Sequence, residues 1–228
     1  FLGASLPSGD TLTVTSADPN VLLAPDGSTP GSSSVDLVGP FTSRSFVVQA
    51  LEGFTGQVTL RASASGFSDG TATATVVTPG VRVVGVTAST TTLSGNDDFY
   101  AQIGRTDGNG AWAGQQQLRA GAQPLSVTFT SSVPSVATLF TEANGQGSPQ
   151  SLQIQPGSSN TPTSVVAGGI AVDPLTEDST QIQAEAVNAG FVTTNAVMVR
   201  VSAPQITVSD ATVGSGLQQS TSVSVSYT

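Results

Sequence analysis

The chain has 228 residues, with 15 acids against 6 cations, and it contains no lysine, histidine or cysteine. A net charge of −9 excludes nucleic-acid binding, which needs basic patches against phosphate, and adsorption to anionic membranes. Only 9% of residues are charged, against a usual ~25%, and serine, threonine, glycine, valine and alanine dominate, the vocabulary of strands and turns.

The length suits two domains of about 100–120 residues, each able to bury a core. No apolar run approaches the ~20 residues of a membrane span and no signal peptide is present, so a mature or excised extracellular, bacterial surface chain is expected, with no membrane insertion. Leucine, glutamate and lysine at helical spacing are missing, so almost no helix is expected.

In chain order, Phe1–Gly9 is Gly/Ser-rich and Thr11–Ser16 alternates as a strand. Ala17-Asp18-Pro19-Asn20 is turn chemistry, and short strands follow at Val21–Leu23, Val35–Val38 and Ser45–Ala50 around the loop Asp26–Ser34. Gln57–Pro79 then reads as a β-hairpin. Val81–Thr87 and Phe99–Arg105 open a second unit, Asp107-Gly108-Asn109-Gly110 is a tight turn, and a long loop runs to Pro124. Leu125–Ser131 is the counterpart of Thr11–Ser16, and Thr180–Pro204 holds a second hairpin, with strands at Gln181–Val187 and Ala196–Val201 joined through Asn188-Ala189-Gly190.

The hairpins are copies: Gly66-Phe67 and Gly190-Phe191 superpose at a spacing of 190 − 66 = 124, and Phe67 and Phe191 are expected in the core or a seam between domains. Pro19 and Pro134 superpose at 134 − 19 = 115, so the second copy carries about nine extra residues, expected as surface loop within Ser148–Ser179. After Pro204, Ile206–Val208 and Ser222–Tyr227 repeat the opening of the second unit, with Ile206 on Val81 and Tyr227 on Ile103. The expected organisation is therefore a copy lacking its first strands (1–80), a whole copy (81–204) and the opening strands of a further one (205–228). Pro79 and Pro204 stiffen the two junctions.

The run Asp107-Gly-Asn-Gly-Ala-Trp-Ala-Gly, followed by Val127-Thr-Phe-Thr, resembles the turn and strand of bacterial Ig-like domains in invasin- and intimin-type surface proteins. Ser131–Leu139 (SSVPSVATL) and the strand Thr180–Ala186 are similar to further stretches of that superfamily. The ten residues Gln115 to Pro124 are a departure, since the family usually runs straight from turn to strand. The resemblance implies tandem immunoglobulin-like antiparallel β-sandwiches, strung in arrays on secreted or cell-surface proteins.

Chemistry is constrained by what is missing. Without histidine or lysine there is no Ser–His–acid triad and no Ser–Lys pair, and without histidine or cysteine no zinc site of the usual kind. Asp97-Asp98 and Glu177-Asp178 are adjacent in sequence, which does not place two carboxyls across a glycosidase cleft. The chain is expected not to be an enzyme and to need no cofactor. Calcium is the alternative to weigh, with Asp97, Asp98, Asp107, Asn109, Asp173, Glu177 and Asp178 as oxygen donors; against it, turns want Asp and Asn for their own hydrogen bonds. Trp112, the sole tryptophan, with Gln115 and Arg119 beside it, reads either as a contact for surface glycans or proteins or as a plug over the sandwich. N-glycosylation sequons are absent, and Ser28–Ser34 and Ser158–Ser164 have the composition of O-linked sites.

The leading function class is a structural rod or filament body on a cell surface. An adhesin and an accessory segment of a large secreted enzyme are the alternatives. Self-association is expected through the broken ends. Without its opening strands the first copy should bare Leu12, Val14, Val58 and Leu60 as an acceptor groove. Ile206, Val208, Val213, Leu217, Val223 and Val225 of the last segment would fill it, in another chain or within one longer covalent array.

Overall fold

A computed structural model describes residues 5–186 and 189–226. The chain is all-β, tandem immunoglobulin-like antiparallel sandwiches; among the described residues the helical content is a single 3₁₀ turn, Val165–Ala167. No helix there is long and apolar enough to cross a membrane.

The first unit holds β1 (Thr11–Ser16), β2 (Val21–Ala24), β3 (Ser34–Val38), β4 (Val47–Ala50), β5 (Gly56–Ala64) and β6 (Gly70–Val76). They form one sheet in the order β3-β1-β5-β6 and a facing pair, β2-β4. Alternation does the sorting: Val14 of TLTVTS and Val58 and Leu60 of β5 turn inward, onto Val21, Leu23, Val35 and Leu37.

The second unit runs through β7 (Pro79–Val84), β8 (Ser89–Thr91), β9 (Asp97–Thr106), β10 (Trp112–Gln115), β11 (Leu125–Ser131), β12 (Ala137–Thr141), β13 (Gly145–Gly147) and β14 (Gln150–Ile154). It closes with β15 (Ile170–Pro174), β16 (Asp178–Glu185), β17 (Val192–Thr193) and β18 (Ala196–Ser202). One sheet is ordered β13-β12-β15-β9-β7-β17, with β10 on β9, and the other β14-β11-β16-β18-β8. Two contacts are parallel, β17 on β7 and β8 on β18. Phe99 and Phe129, both fully buried, meet edge to face across the core with centroids 5.5 Å apart.

Registers make the two units comparable strand by strand. Ser16 faces Leu60 as Ser131 faces Ile182, Leu60 faces Ala72 as Ile182 faces Val197, and Leu23 faces Val48 as Leu139 faces Val172. So β1 to β6 match β11, β12, β14, β15, β16 and β18. In the first unit nothing described stands in the places of β7, β8 and β9. The connections from β6 to β7 and from β18 to β19 (Gln205–Val208) are two residues each, Val77-Thr78 and Ala203-Pro204.

Several expectations need correction. Ser148–Ser179 is not one surface loop: β14 and β15 lie inside it, and Ile154, Ile170 and Val172 are core residues. Pro- and Ser-rich flanks mask two short strands whose apolar residues decide their fate. Trp112–Gln115, expected in a loop, is a strand that pairs with β9 through a register shift between Trp112 and Gly114. Phe67, expected in the core or a seam, is 42% exposed at the tip of the β5–β6 hairpin among the described residues; Phe191, at the matching tip, packs against the core of its own unit. The expected strand end at Val187, the turn position Asn188, the first four residues and Tyr227 lie outside the described residues.

Candidate functional site

The segment Gln115 to Pro124 is a brace between the first two units. The Arg119 Nη2 donates to both oxygens of the Glu52 carboxylate, at 2.9 and 2.8 Å, and Glu52 belongs to the turn between β4 and β5. Gly121, with φ of 78°, lies so close over Pro30 that a Cβ there would sit 3.2 Å from the proline ring. Partial burial pushes the Glu52 carboxyl up, but the Arg119 hydrogen bond, with its backbone bond and the Arg119 charge, outweighs that and holds it below the usual carboxylate range. The Glu52 side chain is more than half exposed, so after solvent screening the pair contributes at most about 1 kcal/mol. Its folded pKa is depressed, so this contribution is present above the unfolded pKa and lost as pH falls through the folded one. Glu52→Gln should therefore widen the spread of inter-unit angles seen by small-angle scattering at pH 7, and acid should do the same to the unmodified chain. An unchanged distribution in both would mean that packing alone holds the seam.

Trp112 is half-buried. The Arg82 guanidinium lies 4.2 Å from its ring centroid, and its six-membered ring lies against Gly104, where a Cβ would come within 2.8 Å of it. Gln115 accepts from Gln102 Nε2 and donates to Ser159, while Arg82 donates through Nε and Nη2 to Gln102 Oε1. The tryptophan is thus held by its own unit, one face taken by a cation.

The acidic residues are dispersed. Asp97 Oδ2 accepts from the Thr87 amide and Asp98 Oδ1 from the Val165 amide, while Asp107 Oδ1 accepts from the amides of Asn109 and Ala111. Asp173 is paired with Gln146, Asp178 Oδ1 accepts from the Ser179 amide, and Glu177 is exposed. No group of three or more potential ligands converges among the described residues. Asp107 earns its place by closing the β9–β10 turn, so Asp107→Ala should cost about 1 kcal/mol, equally with calcium and with chelator. A loss appearing only when calcium is present would give the carboxylate a metal role.

The two open features are the ones of most consequence. The first is a hairpin, β19 with β20 (Val223–Ser226), in which Ile206 faces Val225, Thr207 faces Ser224 and Val208 faces Val223. That is the register of β7 on β9, where Val81 faces Ile103, Arg82 faces Gln102 and Val83 faces Ala101. In β7–β9 the apolar face is in the core; in β19–β20 Ile206, Val208, Val223 and Val225 are all 59–69% exposed. Val213 and Leu217, in the connection, are exposed as well.

The second is a cleft where the open side of the first unit meets the second. Val14, Val58 and Leu60, expected to be bare, are buried, and Leu12 is half-buried, because Phe41, Phe46 and Phe54 fold over that core. The opening lies one strand further on. A cavity of about 810 Å³ is lined by β4 and the turn after it, by Ala74 to Pro79, and by the second unit through Ile103 to Arg105, Gln116 to Arg119 and Phe191. Val48 of β4 is 42% exposed, where its counterpart Val172 is 2% exposed beneath β9.

No protein-family model and no curated protein sequence matches this chain. Among solved structures it is similar to domains 4–9 of the surface layer protein SbsC, at 17% identity and a TM-score of 0.34, over 94% of this chain and 27% of that one. It is also similar to a Bacteroides vulgatus beta-glycosidase (12% identity, TM-score 0.31, 87% of this chain and 24% of that). The Yersinia pseudotuberculosis adhesin InvE is a third, at 15% identity and a TM-score of 0.27, over 86% of this chain and 49% of that. The chain spans about a quarter of the SbsC fragment, and likenesses this distant carry no argument about what it does.

Proposed function

We propose that this chain is a non-enzymatic, extracellular structural repeat, the body of a bacterial surface rod or filament whose tandem sandwiches join head to tail by strand donation. One observation carries the reading. The third segment is a β7–β9-type strand pair with its core face bare, and the first unit is a sandwich in which that pair has no counterpart. Support also comes from the two-residue connections and the Arg119–Glu52 brace, which favour a stiff axis, and from the absence of histidine and lysine in the sequence. Ser202, where the hairpin departs, lies beside Thr90 to Thr92, whereas the cleft is at the end of the second unit marked by Phe191 and the start of β7. Donor and acceptor are at opposite ends of that unit, so the contact is heterologous and propagates instead of closing.

The test is light scattering and electron microscopy of purified 1–228 beside a chain lacking 205–228. Concentration-dependent linear polymers that vanish with the deletion are expected. Polymers that persist would mean the complementarity is sequence repetition alone.

A further inference from the structure

The geometry points to a specific seat for a second copy of this chain, and this inference rests on the strand-donation reading. We infer that the residues just ahead of β20 in one copy pair with the open edge of β4 of the next, antiparallel, with Ser220 opposite Val47, so that the hairpin covers the side of the first unit on which the 810 Å³ cleft opens.

The seat follows from the internal copy. In the second unit the edge of β15 is occupied by β9, with Ile170 opposite Phe99, Ala171 opposite Asp98 and Val172 opposite Asp97. Leu23–Val48 and Leu139–Val172 are equivalent cross-strand pairs, so Val47 stands where Ala171 stands. Val225, two residues before the Tyr227 expected there, stands where Ile103 stands, because it faces Ile206 as Ile103 faces Val81, and Ile206 is the repeat counterpart of Val81. Counting back the same number of residues from each puts Ser220 on Asp98. A free β4 edge supplies unpaired backbone groups, and the half-covered Phe46, Val48 and Phe54 supply the apolar wall.

Two further features fit a second copy as the occupant. The hairpin segment 205–226 carries a single charge, Asp210, so it meets a largely apolar cleft with only one ionised group that docking could desolvate. Phe67, bare at the tip of the first unit, is the counterpart of Phe191, which lines the cavity shared with the preceding unit. A head-to-tail neighbour places the end of its second unit over Phe67.

The absence of cysteine makes the register directly readable. In directly opposed antiparallel residues the Cα atoms are about 4.5–5.5 Å apart, within disulfide reach, while residues two positions along are too far for ready closure. Val47→Cys/Ser220→Cys in the full chain, oxidised mildly, should give a ladder of covalent multimers on non-reducing denaturing gels. Val47→Cys/Gln218→Cys should give at least tenfold less. Ser220 and Gln218 are exposed and Val47 is only partly buried in the free chain, so neither variant should disturb folding, and circular dichroism with the melting temperature checks this. Polymers without a ladder, or a ladder from the Gln218 pair instead, would overturn this seat while leaving strand donation standing. A cysteine-free chain that stays monomeric at all concentrations would overturn strand donation itself. A crosslink confined to the monomer band would overturn a second copy as the occupant.

Discussion

Phe129→Ala should lower the unfolding free energy of the second unit by about 3–5 kcal/mol, the largest stability loss expected from any single truncation in the chain. Phe129 is fully buried on β11, and the strand is held on both sides, by β14 and by β16. Its ring meets Phe99 edge to face, so truncation removes the aromatic contact and leaves a cavity between two sheets that cannot both move inward. The first unit has its own core, centred on Val14, Leu23 and Leu60, and shares none of these side chains. Denaturant unfolding of the variant should therefore show two transitions, with the second unit's moved to lower denaturant and the first unit's in place. A single transition shifted as a whole would mean that the seam couples the units into one cooperative body.

Most of the strands were legible because their residues alternate. TLTVTS, QVTLRASA, LSVTFTS and AVMVRVS each place an apolar or small residue inward at every second position, and each is a strand within one or two residues of its expected ends. The strands that sequence reading missed lack that signal. Trp112-Ala-Gly-Gln is Gly-flanked and reads as turn, yet becomes β10 because Gly104 lets its backbone and ring approach β9 closely. Three-residue β13 and two-residue β17 are too short to show any period.

The sites divide the same way. Exposure of Ile206, Val208, Val223 and Val225 was readable, since they alternate in a segment with no partner of its own. The location of the open edge was not. Val14, Val58 and Leu60 look like core residues robbed of cover, but which residues lose cover depends on which strand is the neighbour in space. In the second unit β9 borders β15, so the bare edge in the first is β4, and phenylalanines 41, 46 and 54 roof the rest. Arg119 and Glu52 are 67 residues apart and no pattern in either segment announces the pair.

Val208→Asp should abolish assembly while leaving the free chain as stable as before. In the free chain Val208 is 64% exposed, so a carboxylate there stays hydrated and costs the monomer almost nothing. In the docked state it stands where Val83 stands, at 3% exposure in the core of the second unit. Burying an unpaired carboxylate in that setting costs several kcal/mol, so subunit affinity should fall by at least a hundredfold, enough to dissolve polymers at micromolar concentration. Thr207→Asp is the matched control. Thr207 is the neighbour of Val208 on the other face of the strand, equivalent to Arg82, whose guanidinium lies against Trp112 on the outside of the sheet. That carboxylate remains in water after docking, and polymers should persist with at most a few-fold loss. Equal losses from the two variants, measured by sedimentation at fixed ionic strength, would mean that charge on the hairpin matters and its apolar face does not. The opposite ordering, with Thr207→Asp the more damaging, would put the outer face of the hairpin, and not Ile206 and Val208, into the neighbouring chain.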